Sequence, residues 1–270
     1  MQNATEPLIE IEKTTMKLTP PLCAFLLMTF FLLVSPYATA AEWVQLGTRP
    51  NVTVQMYWME NPKATATVIL FAGGDGVIGN SEAPEPTSKN FVVRSRNLFR
   101  AAGLNVLVLG MPSDKRDQDV IFRGSDEHMM DIRRTVEFVR SKSGVPVWLV
   151  ATSLGTISAA QAAVTQGKAL GLAGIVLTST FTSWKHTNSV PKLALNKVTI
   201  PVHIYHHADD QCQLCKPRDT EYVYDHLTNA SIKKRVLVSG GENPVGDPCM
   251  AMHNHGFRGM ERQAVSDIAA

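Results

Sequence analysis

The sequence predicts one α/β domain, built on a mostly parallel central sheet of about seven or eight strands with helices on both faces. Three observations carry this expectation. Short, continuously apolar runs recur along the chain, as strands buried on both faces require. Segments with helical spacing separate them, which is the pattern of parallel strands joined by crossovers. The part of the 270-residue chain beyond residue 40, about 230 residues, is long enough for one sizeable core.

The first forty residues read as an extension and a secretory signal peptide rather than as part of the domain, which is expected to span 41–270. Lys17 precedes an apolar run from Leu22 to Val34, and the small-residue triplet Ala38-Thr39-Ala40 follows Ser35-Pro36-Tyr37. A positive start, a short apolar middle and an A-x-A end describe a cleavable signal. The run is about thirteen residues, against the ~20 that a membrane-spanning helix needs. An uncleaved N-terminal anchor is the competing reading. Met16 can serve as the start, and Cys23 precedes the apolar run, so it is not placed as a lipid-anchored cysteine. The expected location is periplasmic or secreted, with cleavage near Ala40 and no stable membrane insertion afterwards.

The elements follow in order. Val52 to Trp58 alternates like a strand with one buried face. Thr67-Val-Ile-Leu-Phe71 is a buried strand that ends in Gly73-Gly74-Asp75-Gly76, and a Pro-containing loop follows. Phe91 to Ala102 has helical spacing, with Arg94, Arg96 and Arg100 on the solvated face and Gly103 as its stop signal. Val106–Leu109 is a strand, and Ser125 or Asp126 can cap a helix to about Ser141. Pro146–Val150 is the next strand, and Gly155 to Thr165 is an Ala-rich helix. Ile175–Leu177 and Val202–Tyr205 are strands, Thr220 to Leu227 a helix, Arg235–Val238 the last strand and Arg258 to Ala270 the last helix.

Charge excludes one class of partner. Setting aside Lys13, Lys17, Glu6, Glu10 and Glu12 leaves 24 basic and 21 acidic side chains, near balance and without a Lys/Arg run. Nucleic acid is therefore not an expected partner. No metal or organic cofactor is called for, and the sequence does not speak to oligomeric state.

Three groups then fall in a telling chain order. The strand PVWLV runs directly into Ala151-Thr152-Ser153-Leu154-Gly155 and a helix, the form of a G-x-S-x-G elbow with Ala in place of the first Gly. Such an elbow presses the Ser into a sharp turn, so small residues must stand two before and two after it. The strand VHIY ends in His206-His207-Ala208-Asp209-Asp210, which sets a carboxylate just past a late strand; G-x-x-D spacing counted from His207 selects Asp210, with Asp209 as the alternative. Near the end, His253-Asn254-His255-Gly256-Phe257 precedes the last helix, and His255 is preferred to His253. Individually each has an ordinary alternative: a capped helix start, a capped and solvated loop, and a surface or satisfied core histidine. Together they have the order Ser, Asp, His.

On these motifs the chain, from about Thr67 onward, resembles the α/β-hydrolases of the small dienelactone-hydrolase-like or nearly lidless serine-esterase kind. The resemblance implies a Ser153-Asp210-His255 triad. It implies an oxyanion hole from the amide of Gly73 or Gly74, after the third strand, and that of Leu154, after the nucleophile. In such a site His255 accepts the Ser153 proton, Asp210 orients the imidazole, and an acyl-enzyme forms that water releases. Ser in place of the Cys of dienelactone hydrolase means that the lactone substrate is not implied. The expected partner is a small-molecule ester-like substrate.

The cysteines carry a second story. Cys212-Gln-Leu-Cys215 is a C-x-x-C, with His206 and His207 upstream and Cys249 downstream, from which a zinc or redox site can be drawn. If the triad forms, the loops holding Cys212 and Cys249 meet. A Cys212–Cys249 disulfide across 36 intervening residues is then the simpler account, with Cys215–Cys249 as the alternative pairing. His128 and Arg123 read as capping and surface groups. Phe181 to Leu195 stands where the fold inserts a lid and is too short for a substantial one; Trp184 and His186 line the site or cover the core. Beside carboxylic-ester hydrolysis stand a thioesterase or peptidase of the same fold, and a noncatalytic binding protein.

Overall fold

Eight strands form one sheet in residues 41–270, the part of the chain that this computed structural model describes. The expected signal segment, residues 1–40, lies outside the described residues. The order across the sheet is β1 (Ala41–Arg49), β2 (Val52–Met59), β4 (Leu104–Pro112), β3 (Ala66–Phe71), β5 (Val147–Thr152), β6 (Gly174–Thr178), β7 (Val202–His207) and β8 (Lys233–Val238). β2 is antiparallel to both β1 and β4; every other neighbouring pair is parallel. The expected fold class is therefore the observed one.

The apolar runs lie in the middle of this sheet. Val68–Phe71 pairs on one side with Val106–Leu109 and on the other with Trp148–Ala151. Because successive side chains of a strand point to opposite faces, each run feeds two cores. Ile69, Leu107, Leu149, Ile175 and Ile204 meet α4 (Asp126–Lys142) and α5 (Gly155–Gln166) on one face. Leu70, Val106, Val150, Val176 and Tyr205 meet Phe91, Phe99 and Val265 on the other. Those three side chains come from α1 (Phe91–Arg94), α2 (Arg96–Ala101) and α7 (Glu261–Ala269).

Several boundaries differ from the expectation, each for a local reason. Ala41–Arg49 forms β1, an edge strand of mixed exposure whose pattern is too polar to stand out in the sequence. The helix expected over Phe91–Ala102 is interrupted at Ser95, which has φ −90° and ψ 1°. The break turns Arg96 inward: it is buried, donates to the Val93 carbonyl and pairs with Glu85, rather than standing in solvent. The last helix begins at Glu261, not Arg258, because Phe257 is in the left-handed region (φ 56°). Gly103, at φ +85°, follows α2 as the expected stop.

The segment after β6 holds short 3-10 turns at Val190–Lys192 and Leu195–Lys197 and covers the core rather than forming a lid. Phe181 and Val190 are buried, His186 stands edge-on to Phe181, and exposed Trp184 packs on Tyr222 of α6 (Thr220–His226). Among the described residues no helix is long and apolar enough to cross a membrane.

Candidate active site

The carboxyl ends of β3, β5, β7 and β8 bring the site together. β5 ends at Thr152, and Ser153 follows at φ 53°, a left-handed conformation that costs a non-glycine residue about 1–3 kcal/mol. The Ser153 N–H donates to the Thr178 carbonyl of β6 at 3.1 Å, and α5 begins two residues later. A Cβ added to Gly155 would lie 2.5 Å from the Phe71 oxygen, so only glycine lets α5 pass this close behind β3. Ala151, two residues before the Ser, is fully buried and its methyl is accommodated. The elbow's two small positions thus have different stringency.

Gly73 packs directly behind Ser153: an added Cβ would lie 2.7 Å from the Ser153 Cβ and 3.0 Å from the Thr152 oxygen. Gly74, Ser153 and His255 line one cavity of about 40 Å³, together with Asn90, Cys249 and Ala251. Leu154 is half-buried between Ser153 and the first residue of α5.

Past β7, Asp210 is buried, while Asp209 is exposed. The Asp210 Oδ2 accepts from His255 Nδ1 at 2.8 Å, and its Oδ1 accepts from the Cys212 N–H at 2.9 Å. This tautomer leaves the other ring nitrogen of His255 as an acceptor. His253 is buried too, and its Nδ1 has no hydrogen-bond partner among the described residues. Burial pushes the Asp210 carboxyl up, but hydrogen bonds from His206 and His255 outweigh it and hold the group at about 2. Ser153 Oγ does not hydrogen-bond to His255 in this state; its contact is the Cys215 Sγ at 3.8 Å.

A second imidazole reaches the same carboxylate. His206 is fully buried, its Nδ1 accepts the Thr180 N–H at 3.2 Å, and its Nε2–H is shared between Asp210 Oδ2 (3.2 Å) and the Cys215 carbonyl (3.0 Å). Burial holds its protonation below the ordinary histidine range, so it acts as a neutral donor.

Cys212 and Cys249 form a disulfide that joins the loop after β7 to the loop after β8. Cys215 is the free, buried thiol, so the alternative Cys215–Cys249 pairing does not form. Cys212 thereby gives its sulfur to the disulfide rather than to a metal.

The overall arrangement matches known structures. It superposes on an esterase of Pyrococcus furiosus with a TM-score of 0.63 over 86% of this chain and 89% of that one, at 13% identity.

The fold is that of the α/β-hydrolases.

A lidless α/β serine hydrolase of Xanthomonas campestris matches at TM-score 0.55, 17% identity, over 86% of this chain and 96% of that one. A dienelactone hydrolase of Anabaena variabilis matches at TM-score 0.55, 12% identity, over 85% and 94%. No family model matches the sequence, and no curated protein matches it.

Within this α/β-hydrolase frame, the largest departure from the sequence reading is Arg123. It is not a surface group but fully buried at the end of α3 (Val120–Arg123). Its guanidinium donates to the carbonyls of Gln118 (2.7 Å), Ala72 (3.0 Å) and Gly74 (3.3 Å) and to Ser158 Oγ (3.1 Å). Burial lowers its pKa to about 9, with Asp75 and Asp119 acting in the opposite direction, so it stays charged at neutral pH. Four oxygens therefore take the place of a carboxylate partner, and two of them belong to the loop carrying Gly73 and Gly74.

His128 is likewise buried rather than superficial; its Nε2 meets Ser158 Oγ at 2.9 Å, while its backbone N–H takes the Ser125 cap. Its pKa falls to about 3, chiefly through burial and then through Arg123 and Arg49. Asn90, by contrast, was not marked in the sequence at all. It faces the cavity, and its Oδ1 is buried without a partner. None of the three lies in a recognisable motif: Arg123 and His128 flank a helix start, where polar residues are ordinary.

Proposed function

We propose that this protein is an exported serine hydrolase of carboxylic esters, with Ser153 as nucleophile, His255 as base and Asp210 as the acid that orients it. The observation that carries the reading is the buried 2.8 Å contact between His255 Nδ1 and Asp210, on the wall of the cavity that also holds Ser153 at φ 53°. An ester carbonyl entering there meets the Ser153 oxygen, whose proton passes to the free ring nitrogen of His255. The imidazolium that forms is stabilised by Asp210, which is already ionised in the fold.

The N–H groups of Leu154 and of Gly73 or Gly74 would receive the tetrahedral oxyanion, each donor contributing ~3 kcal/mol in comparable sites. Collapse expels the alcohol, which takes the proton from His255, and water then releases the acyl group by the same path. The ester preference is supported by the neighbours of this fold that are named esterases. Export is supported by the run Leu22–Val34 with its Ala38-Thr39-Ala40 end, and by a disulfide, which persists in oxidising compartments.

The deciding experiment is fluorophosphonate labelling of the folded protein with peptide mapping. Adduct on Ser153, lost in Ser153→Ala, supports the reading. A folded protein that takes no label would overturn it, and an intact N-terminus on protein collected outside the cytoplasm would overturn the cleaved signal.

A further inference from the structure

The C-x-x-C of the sequence is only half used by the disulfide. Cys215 keeps its thiol, and its Sγ, the Cys212 Sγ and a ring nitrogen of His255 all lie within 4.8 Å of one another. Cys212 and Cys215 are joined by a tight turn, with the Cys215 N–H on the Cys212 carbonyl at 3.1 Å. Both side chains are buried in a small apolar cluster with Ile157 and Phe181. Cys249, the other half of the disulfide, is half-exposed and lines the cavity that holds Ser153. A thiol, a disulfide and an imidazole are thus held together, buried on the Cys215 side and open to the cavity at Cys249.

We infer that these three sulfurs form an intramolecular thiol–disulfide exchange site, which delivers a reactive thiol at Cys249 to the active-site cavity. The step is balanced within the protein. His255 takes the Cys215 proton, and the thiolate attacks the Cys212 sulfur. The Cys212–Cys215 bond forms as the Cys212–Cys249 bond breaks, and the Cys249 thiolate leaves and recovers the proton. One disulfide and one thiol are present before and after, so no oxidant or reductant enters. The consequence is positional. The loop after β7 closes on itself, the loop carrying His255 loses its covalent tie, and the free thiol moves from a buried position to one that soft electrophiles can reach. The inference goes beyond the hydrolase reading and does not depend on it, since His255 serves only as a proton acceptor.

The test is differential alkylation of the folded, oxidised protein. Iodoacetamide is applied in mildly alkaline buffer, the sample is quenched and denatured in acid, remaining thiols are taken by N-ethylmaleimide, and peptides are mapped without reduction. The expected result is carbamidomethyl on Cys249 with Cys212 and Cys215 linked within one peptide. The Cys215→Ser chain, which keeps the Cys212–Cys249 bond and has no other thiol in residues 41–270, is expected to stay unlabelled. N-ethylmaleimide on Cys215 alone, or carbamidomethyl on Cys215 itself, overturns the inference. So does label on Cys249 in the Cys215→Ser chain, because the bond would then open by another route. Should that variant fail to fold, the wild-type map decides by itself. Fluorophosphonate labelling of Ser153 is read separately, so failure of the exchange and failure of the hydrolase reading are distinguishable.

Discussion

His206 donates its Nε2–H to Asp210 Oδ2 at 3.2 Å, on the same oxygen that receives His255 Nδ1. One carboxylate oxygen therefore serves two imidazoles, and its negative charge is divided between them. Replacing His206 by Gln, which cannot reproduce the geometry, leaves more of that charge to the Asp210–His255 pair. The proton that switches the pair off is then held more tightly. The expected outcome is an acid limb of the ester-hydrolysis pH–rate profile displaced to higher pH, with turnover reduced by about tenfold. A loss of rate with no displacement of the limb would make His206 a packing residue only.

Arg123→Met removes the guanidinium that ties the carbonyls of Ala72 and Gly74 to α3 and Ser158. Leaving buried carbonyls without donors costs about 1–3 kcal/mol each where water does not reach them. Thermal denaturation is expected to show a loss of several degrees. Residual folded protein should be slowed in acyl transfer, because the Gly73–Gly74 loop is no longer held. Arg123→Lys should not rescue it, since an ammonium has three N–H donors on a single nitrogen and cannot reach all four oxygens.

Gly73→Ala places a methyl 2.7 Å from the Ser153 Cβ. Either the loop or Ser153 must retreat, and on the proposed mechanism a misplaced reacting group costs on the order of 100-fold in rate. Ester turnover and fluorophosphonate labelling should both fall by about that factor, with circular dichroism unchanged.

Acid should weaken the fold in two steps. His128, held at about 3 against 6.5, stays neutral in the fold while the unfolded chain takes up a proton. Stability is thus complete above pH 6.5 and declines as pH falls toward 3. Asp210, held at about 2 against 3.8, contributes stability above 3.8 that is lost as pH falls through 2, on the order of 2 kcal/mol in total. Denaturant midpoints at pH 7 and pH 4.5 should differ, and His128→Gln should shrink that difference; an unchanged difference would remove His128 as the cause.

A short acyl group should be preferred. The cavity at Ser153 has about 40 Å³, room for only a few atoms. An acetate ester is expected to exceed an octanoate ester of the same alcohol in kcat/KM, measured by release of that alcohol; the reverse order would show that the acyl chain lies elsewhere.

The elements nearest the site were the most legible. Pro146–Val150, Ser153 and Gly155 announce themselves because a strand buried on both faces must be continuously apolar, and because an elbow needs small residues on either side of its Ser. Ala41–Arg49 was not legible, since an edge strand with mixed exposure has no strong period. Arg96 was read as solvated because the pattern was continued through Ser95, where the helix breaks.

The sequence by itself determined the α/β class, the central strands and the chain order of Ser153, Asp210 and His255, all of which depend on local chemistry or on residues close together in the chain. It narrowed the acid to Asp209 or Asp210 and the disulfide to two pairings. Only the tertiary structure brought His255 to Asp210 and not to Asp209, and joined Cys212 to Cys249. It alone turned Arg123 inward onto carbonyls 49 and 51 positions away and placed His206 on the same carboxylate as His255. The physical reason is that a buried polar group is defined by the partners that satisfy it, and those partners come from strands and loops whose proximity is created by folding.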